Sequence, residues 1–474
     1  MKIIGRKRER NEIERCVLSK RPEFVVVYGR RRIGKTYLIR EYFKHQFAFY
    51  ATGVTDEKTA GQLRAFHNSL KEYGDPEKKA PKDWYEAFAR LKKLLNEPSV
   101  RREPINNKIV VFLDELPWMD TARSDFKSAL DYFWNTWGSA CPDLLLIVCG
   151  SATSWIIDNL LEGKKGFHNR VTRRIRLLPF CLRECKELLE LNGIDLPDAQ
   201  IIDCYMAFGG VPFYLNMLDP RLSIVQNIDE LFFKEYGDLH DEYHILFHSL
   251  YKNPEKYIMI MKELSKRKRG MTRMELTEVK EIGGGEGLTK RLKELCECGF
   301  IRKYRNFVKE KYDAIYQVID PFIAFYHNFG TENKELSSWK KYANTPSYNA
   351  WRGNAFEMVA LNHVFEIKKA LGVSGVESEE YAWKSEGGHP GAQIDLLIDR
   401  CDGVINLCEI KYSNDPYEIT AEEYKNLQRR AAVFQEETGT KKSIHITLIT
   451  VNGLMQNKYT GIAMNVISGE DLFA

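Results

Sequence analysis

The 474-residue chain contains no apolar run long enough to span a membrane, which takes about 20 residues. Its start, MKIIGRKRER, has no apolar signal core, so a cytoplasmic protein with no membrane partner is expected. No C-x-x-C pair occurs among the ten cysteines. The nearest spacings are Cys181/Cys185 and Cys296/Cys298, and others lie in apolar segments such as LLLIVCG. Reduced, buried thiols are therefore expected rather than a zinc site or a disulfide framework. A net charge of +4 is too small to argue for nucleic-acid binding; local patches must carry that case. Internal repeats and low-complexity tracts are absent too. What remains is the composition of a soluble globular protein, at a length that calls for two to four domains.

The stretch FVVVYGRRRIGKTYLIREYF (24–43) reads as a buried strand, a glycine loop and an amphipathic helix. The loop fits G-x-x-x-x-G-K-[ST], running Gly29, Arg30, Arg31, Arg32, Ile33, Gly34, Lys35, Thr36. Such a loop wraps backbone N–H groups around phosphates at a helix N-terminus. Lys35 would reach the β- and γ-phosphates of ATP, and the Thr36 hydroxyl would ligate Mg²⁺. KIVVFLDELPWM (108–119) is an apolar strand ending in Asp114-Glu115. There Asp114 can hold the Mg²⁺ shell and Glu115 can polarise the attacking water; the alternative is an acidic helix start. DLLLIVCGSATSW (143–155) supplies another buried strand. Its Ser151 either senses the γ-phosphate or caps the next helix. NRVTRRIRLLPF (169–180) offers Arg170, Arg173 and Arg174 as transition-state cations or as solvated strand flanks.

Strands alternating with helices imply an α/β fold with a parallel sheet covered on both faces and the nucleotide at the strands' carboxyl ends. GRRRIGKT, VVFLDE and CGSATSW, followed by MAFGGVPFYL (206–215), resemble the archaeal and bacterial ATPases of the AAA-type signalling (STAND) group. The resemblance implies a P-loop ASCE domain with a helical lid. Within that lid, the Gly209-Gly210-Val211-Pro212 stretch would bring Pro212 over the nucleotide. No distinct sensor-2 arginine is present in the lid, a departure that bears on hydrolysis rather than on binding.

Residues 255–319 follow another pattern. EKYIMIMKELSKRKRG is an amphipathic helix ending in Lys266, Arg267, Lys268 and Arg269; MTRMELTEV makes a short helix, and GGGEG breaks the chain. A third helix places Leu288, Leu292, Leu295 and Cys296 on one face, and IRKYRNF and AIYQVID are strand-like. Helix, helix, helix and hairpin is the winged-helix arrangement. Lys290, Arg291 and Lys293 are expected on the outer side of the third helix, which could lie in a major groove while Lys266–Arg269 and arginines of the wing contact phosphates. DNA contact and inter-domain packing are both open to such a module. No Asn or Gln on that helix face suits adenine, so sequence-specific reading is not expected.

From about residue 345 the elements read helix (351–370), strands (380–384, 393–399, 404–411), helix (418–437) and strand (444–450). A three-residue loop, Cys401-Asp402-Gly403 with Gly403 left-handed, pairs Arg400 with Val404. Asp395 then lies opposite Glu409, and strand alternation brings Lys411 to the same face. Two opposed carboxylates repel unless a cation lies between them, and an oxygen-rich site suits Mg²⁺ or Mn²⁺. Upstream, Glu357 interrupts an apolar helix stripe formed by Ala360, Leu361 and Val364. Glu357, Asp395 and Glu409-Ile410-Lys411, in that order, resemble the PD-(D/E)XK nuclease superfamily. This resemblance implies a restriction-endonuclease-like fold with these four residues catalytic and with Asp395 and Glu409 on the metal. Gln393-Ile394 replaces the motif's proline.

The expected domains are therefore an ATPase domain (1–180), lid and connector (181–254), winged helix (255–320), linker (321–344) and nuclease-like domain (345–474). Two functions compete. One is an ATPase controlling a DNA-directed, metal-dependent nuclease; the other is an ATP-driven DNA-binding switch with an inert nuclease fold. Opposite faces for Asp395 and Glu409, or Lys411 tied away from both carboxylates, favour the switch. DNA is the expected partner, and self-association into a homo-oligomer is left open.

Overall fold

The structure is a computed structural model describing residues 3–161, 169–251, 253–307, 314–330, 339, 345–385 and 392–474. The chain divides into two compact units, Met1–Leu178 and Pro179–Ala474.

In the first unit, β1 (Glu23–Tyr28), β3 (Ile109–Asp114) and β4 (Leu144–Gly150) are buried along their whole length. Continuous apolar runs of this kind belong to parallel sheets covered on both faces. With β2 (Phe49–Thr52) and β5 (Arg173–Arg176) they form one parallel sheet of order β2-β3-β4-β1-β5. Phe24, Val26, Val111 and Leu113 pack with Trp84, Phe88 and Phe126 on one side. Val25, Val27, Val110 and Phe112 pack with Ile13, Leu38 and Ile39 on the other. Two-sided burial leaves the ends of the strands as the place where polar groups can gather. The carboxyl ends of β1, β3 and β4 lead into the glycine loop, Asp114-Glu115 and Ser151.

The second unit starts with helices Leu182–Leu191 and Asp198–Phe208. Further on come helix Pro254–Ser265, β6 (Met271–Thr272), helices Arg273–Thr277 and Gly285–Glu297, β7 (Ile301–Tyr304) and β8 (Ile315–Val318). The three strands make an antiparallel sheet of order β6-β8-β7. Leu288, Leu292 and Leu295 are fully buried; Cys296, placed on the same face by the sequence pattern, is half-buried. The stretch expected as a linker carries helix Pro321–Phe329, because PFIAFYHNF has enough aromatic surface to bury. Phe325 and Phe329 pack on Trp339 and Trp351. Residues 331–338 and 340–344 of that stretch lie outside the described residues.

The chain then runs through helices Pro346–Asn362 and Val364–Ala370, β9 (Ser378–Lys384), β10 (Gln393–Arg400) and β11 (Val404–Lys411). Helix Ala421–Thr438, β12 (Ser443–Thr450) and β13 (Asn465–Ile467) complete it. Sheet order is β13-β12-β11-β10-β9, antiparallel from β9 to β11 and parallel from β11 to β13. The helix expected over 351–370 is broken at His363, which is wholly buried. Its Nδ1 donates to the Val359 carbonyl (2.7 Å), and its Nε2 accepts from the Leu182 amide (2.9 Å). These bonds require the neutral ring, and burial pushes the imidazole pKa down to about 4.

A folded-state pKa below the ordinary value of about 6.5 gives a stabilising contribution that is present above 6.5 and lost as pH falls toward 4. Urea unfolding at pH 7.5 and 5.5 should therefore show a loss in the wild type that is about 1 kcal/mol larger than in His363→Gln. Equal losses in both proteins would remove His363 as the cause.

Candidate active site

The glycine loop follows β1 and wraps back on itself before helix Lys35–Tyr42. Gly29 has φ 141°, and a Cβ there would stand 2.4 Å from the Leu177 carbonyl oxygen, so only glycine fits. Gly34, at φ 85°, is the residue from which the helix starts. Arg30 and Ile33 are buried, Arg31 is exposed, and Arg32 takes a left-handed φ of 70°. The buried Lys35 ammonium donates to the carbonyls of Gly29 (3.0 Å) and Arg30 (2.7 Å). Thr36, one residue on, lies near enough to Asp114 to act against the rise of its carboxyl pKa.

Asp114 is 3% exposed. Burial pushes its carboxyl above the usual range, and Glu115 next to it adds to that rise against Thr36. Glu115 holds a left-handed backbone, φ 46° and ψ 44°, a conformation that costs about 1 kcal/mol for a non-glycine residue. Such strain persists only where neighbours fix it. A Cβ on Gly53 would meet the Glu115 carbonyl at 2.5 Å, and one on Gly150 would meet Pro117 at 2.6 Å. The corner is thus clasped by the ends of β2 and β4. From β4, Ser151 donates to the Glu115 carboxylate twice, through Oγ (2.7 Å) and through its amide (3.2 Å). Glu115 and Ser151 are thereby joined across neighbouring strands.

The three arginines near β5 are all engaged within this unit. Arg170 pairs with Asp131, Arg173 lies 3.8 Å from Glu12, and Arg174 donates to the Leu161 carbonyl at 3.1 Å. One functional neighbour escaped the sequence reading. Arg6, 5% exposed, donates to Ile33 of the loop (3.1 Å) and to Leu178 (2.7 Å). In the sequence it is one of several basic residues in GRKRER, just ahead of helix Lys7–Leu18, and nothing local sets it apart. Pro212 lies in the second unit, at the start of the short helix Pro212–Leu215 after the Gly209 turn.

In the C-terminal sheet the expected turn is present. Gly403 has φ 85°, and the β10–β11 ladder from Leu396↔Cys408 to Asp399↔Ile405 has the register of a three-residue loop. The expected meeting of Asp395 with Glu409 and Lys411 on one face does not occur, and the reason is an irregularity in β10. Trp383 and Tyr381 of β9 are in register with Ile394 and Leu397, and all four belong to one apolar cluster with Phe434. Residues three apart share a face only if the strand carries an extra residue between them. The register shift lies there, between Ile394 and Leu397. Asp395 falls inside it and is turned to the opposite face, where it accepts a bond from Gln393 Nε2 at 3.2 Å.

Glu409 follows Leu407 on the Phe434 face. It accepts from Arg430 of helix Ala421–Thr438 (2.6 Å) and pairs with Lys411 (2.9 Å). Lys411 also approaches Glu423 (3.4 Å). Burial works against the charge on Lys411, but Glu409 and Glu423 outweigh it and raise its pKa. On the other face Glu357, 5% exposed, pairs with Lys268. Burial and then Asp395 push the Glu357 carboxyl up to about 7, against Lys268 and Arg302. Burial depresses Arg302 in turn, with Tyr304, Glu357, Asp395 and Glu380 acting to hold its charge. The four expected nuclease positions are thus split two and two. Among the described residues, no group of three or more His, Cys, Asp or Glu side chains is arranged to hold a metal ion.

Mn²⁺ titration of the Lys35→Ala protein, followed by the electron paramagnetic resonance of free Mn²⁺, should give the same curve with Asp395→Ala or Glu409→Ala added. Loss of a tight site in both of those variants would mean that the two carboxylates do meet around a cation.

Comparison with known proteins bears on the first 218 residues above all. A sequence model of an ATPase domain found predominantly in Archaea matches residues 4–218. An uncharacterized protein of Methanocaldococcus jannaschii is 24% identical over 446 residues, 90% of this chain and 92% of that protein. The Walker-type ATPase of Pyrococcus abyssi superimposes with a TM-score of 0.49 at 16% identity, over 69% of this chain and 96% of that one. The ORC2 protein of Aeropyrum pernix, solved as ADPNP–ADP complexes, gives 0.43 at 14% identity, over 68% and 91%. Among the described residues no helix is long and apolar enough to cross a membrane. The match over residues 4–218, together with the phosphate loop, Asp114-Glu115 and Ser151 on neighbouring parallel strands, supports an ATP-binding P-loop ATPase domain.

Proposed function

We propose that this protein hydrolyses ATP at the carboxyl edge of the parallel sheet and uses the nucleotide state to switch the docking of its other modules on DNA. The observation that carries the first half is the Ser151–Glu115 bond at the strand ends, with the buried Asp114 beside Glu115 and the Lys35 ammonium held in the glycine loop. Lys35 takes the β- and γ-phosphates. A buried carboxylate near a threonine hydroxyl is a hard oxygen pair, and that chemistry fits Mg²⁺. Thr36 and Asp114 would hold the ion, which neutralises phosphate charge when bound. Glu115 orients the water, and the strain in its backbone fixes the direction of its carboxylate. Ser151 reports on the γ-phosphate through the same hydroxyl that holds Glu115. The Gly209–Pro212 turn supplies the lid residue Pro212.

The second half rests on the split of Asp395 from Glu409. The C-terminal domain keeps the αβββαβ order but, among the described residues, shows no cluster arranged to hold a metal, so a docking role is the better reading of it. The module 254–318 has a winged-helix order, with Lys290 and Lys293 exposed on its third helix. Arg291 is half-buried and donates to the Ile282 carbonyl at 3.2 Å. Phosphate contact suits these side chains, and base reading does not.

Steady-state ATPase assays and nucleotide binding test the first half. Lys35→Ala should lose binding or turnover. Glu115→Gln should bind ATP normally and hydrolyse it at least about 100-fold more slowly, and Ser151→Ala should lower kcat more than it raises KM. Normal turnover in Lys35→Ala would discard the site. Incubation with linear, circular and single-stranded DNA plus Mg²⁺ or Mn²⁺ should leave the DNA intact. Cleavage abolished by Asp395→Ala would restore the nuclease reading.

A further inference from the structure

The basic run Lys266–Arg269 is the strongest positive stretch in the second unit, yet it does not stand bare. Lys266 pairs with Glu263 (2.6 Å), Arg267 with Glu275 (2.7 Å) and Lys268 with Glu357. The turn that carries these side chains is fixed from behind. Tyr304 donates to the Arg269 carbonyl (2.6 Å), and Gln317 Nε2 donates to the Lys268 carbonyl (2.7 Å). A rigid backbone therefore presents four exposed cations, at least three of them held by carboxylates of the same chain.

The three pairs are not equivalent. Glu263 lies one turn back on the same helix, and Glu275 lies nearby in sequence and is more than a third exposed. Such surface pairs contribute little and yield readily to a polyanion. Glu357 is different: it belongs to helix Pro346–Asn362, its side chain is 7% exposed, and Lys268 is 41% exposed. Asp395 faces the same carboxylate, and Arg302 and Tyr304 close around it. Removing Lys268 would leave the buried Glu357 carboxylate beside the half-buried Asp395, with Arg302 as the remaining cation near both, which is costly unless one takes up a proton.

We propose that residues 266–269 form a docking surface for the phosphate backbone of duplex DNA, and that Glu357 is the latch that keeps Lys268 from it. This deepens the DNA-docking reading above and rests on it. When a phosphate takes Lys268, Glu357 takes up one proton from the solvent buffer: an O–H bond forms on the carboxylate, the buffer acid gives up that proton, and no bond between heavy atoms changes. Docking is then coupled to proton uptake, and the groups that set the coupling are Asp395, Lys268, Arg302 and Tyr304. The rise of the Glu357 pKa to about 7 puts this exchange close to neutral pH.

The test is fluorescence anisotropy of the full-length protein on a labelled DNA duplex at pH 6, 7 and 8 over a range of salt. The wild type should bind more tightly at pH 6 than at pH 8. Glu357→Gln should bind roughly 10-fold more tightly than wild type at pH 8, with a weaker pH dependence and a salt slope steeper by about one unit. Adding Lys268→Ala to Glu357→Gln should cancel the gain. Circular dichroism melting checks that each variant is folded. Acetylation of Lys268 by an N-hydroxysuccinimide ester, read by mass spectrometry, should run faster in Glu357→Gln than in wild type. DNA binding that is indifferent to Glu357, or unchanged Lys268 reactivity, overturns the latch alone. No DNA binding by any form overturns the docking surface together with the reading on which it rests.

Discussion

A buried carboxylate needs a cation, a proton or a set of N–H donors, and two such groups facing each other need more than one of these. Glu357, buried, and Asp395, half-buried beside it, impose that condition on the second unit. Their charge is met by Lys268 from the end of one helix and by Arg302 from β7, so the three-stranded module is held against the C-terminal domain by electrostatics as well as by apolar area. Phe307 adds the apolar part, packing on Tyr381 and Phe434. The same ion pair fixes where the basic turn can point. Of the four exposed cations of that turn, Lys268 is the one held by a buried carboxylate.

A second junction works by neutral groups. His363 interrupts what would be one long helix, and its two ring nitrogens satisfy Val359 and Leu182. Near it Tyr412 donates to Asp203 (2.7 Å), and Arg352 lies over the Tyr412 ring at 4.0 Å. Burial raises the Asp203 carboxyl to about 6, with Arg352 opposing. The helix Asp198–Phe208, which leads into the Gly209–Pro212 turn, is therefore bonded to the C-terminal domain by polar contacts that report on position. Polar junctions of this type tolerate little displacement, because each shifted group loses its partner.

In the first unit the organising condition is two-sided burial. Once β1, β3 and β4 are covered on both faces, polar and charged residues can stand only at their ends. Lys35, Thr36, Asp114, Glu115 and Ser151 are brought together by strand order alone. Here local chemistry and tertiary placement agree, which explains why this site could be read from the chain. The bond between Ser151 and Glu115 could not be read in the same way, since it depends on the left-handed turn at Glu115 and on the close approach of Gly53 and Gly150.

The sequence by itself determined the parallel apolar strands, the phosphate loop, the three helices and two hairpin strands between 254 and 318 though not the short β6, and the αβββαβ order with its three-residue turn. Each of these follows from local pattern: period, loop length, or a glycine where φ must be positive. Tertiary structure decided what that pattern does not contain. Parity predicted Asp395 beside Glu409 and Lys411, and a regular strand would have placed them so. The extra residue between Ile394 and Leu397 reversed that parity. It is set by how Ile394 and Leu397 both pack against the Trp383–Phe434 cluster, which no count along β10 reveals. The partners of Lys268 and Glu357 are 89 positions apart in the chain. Their pairing depends on desolvation at a packed interface, a quantity that exists only once the fold has formed.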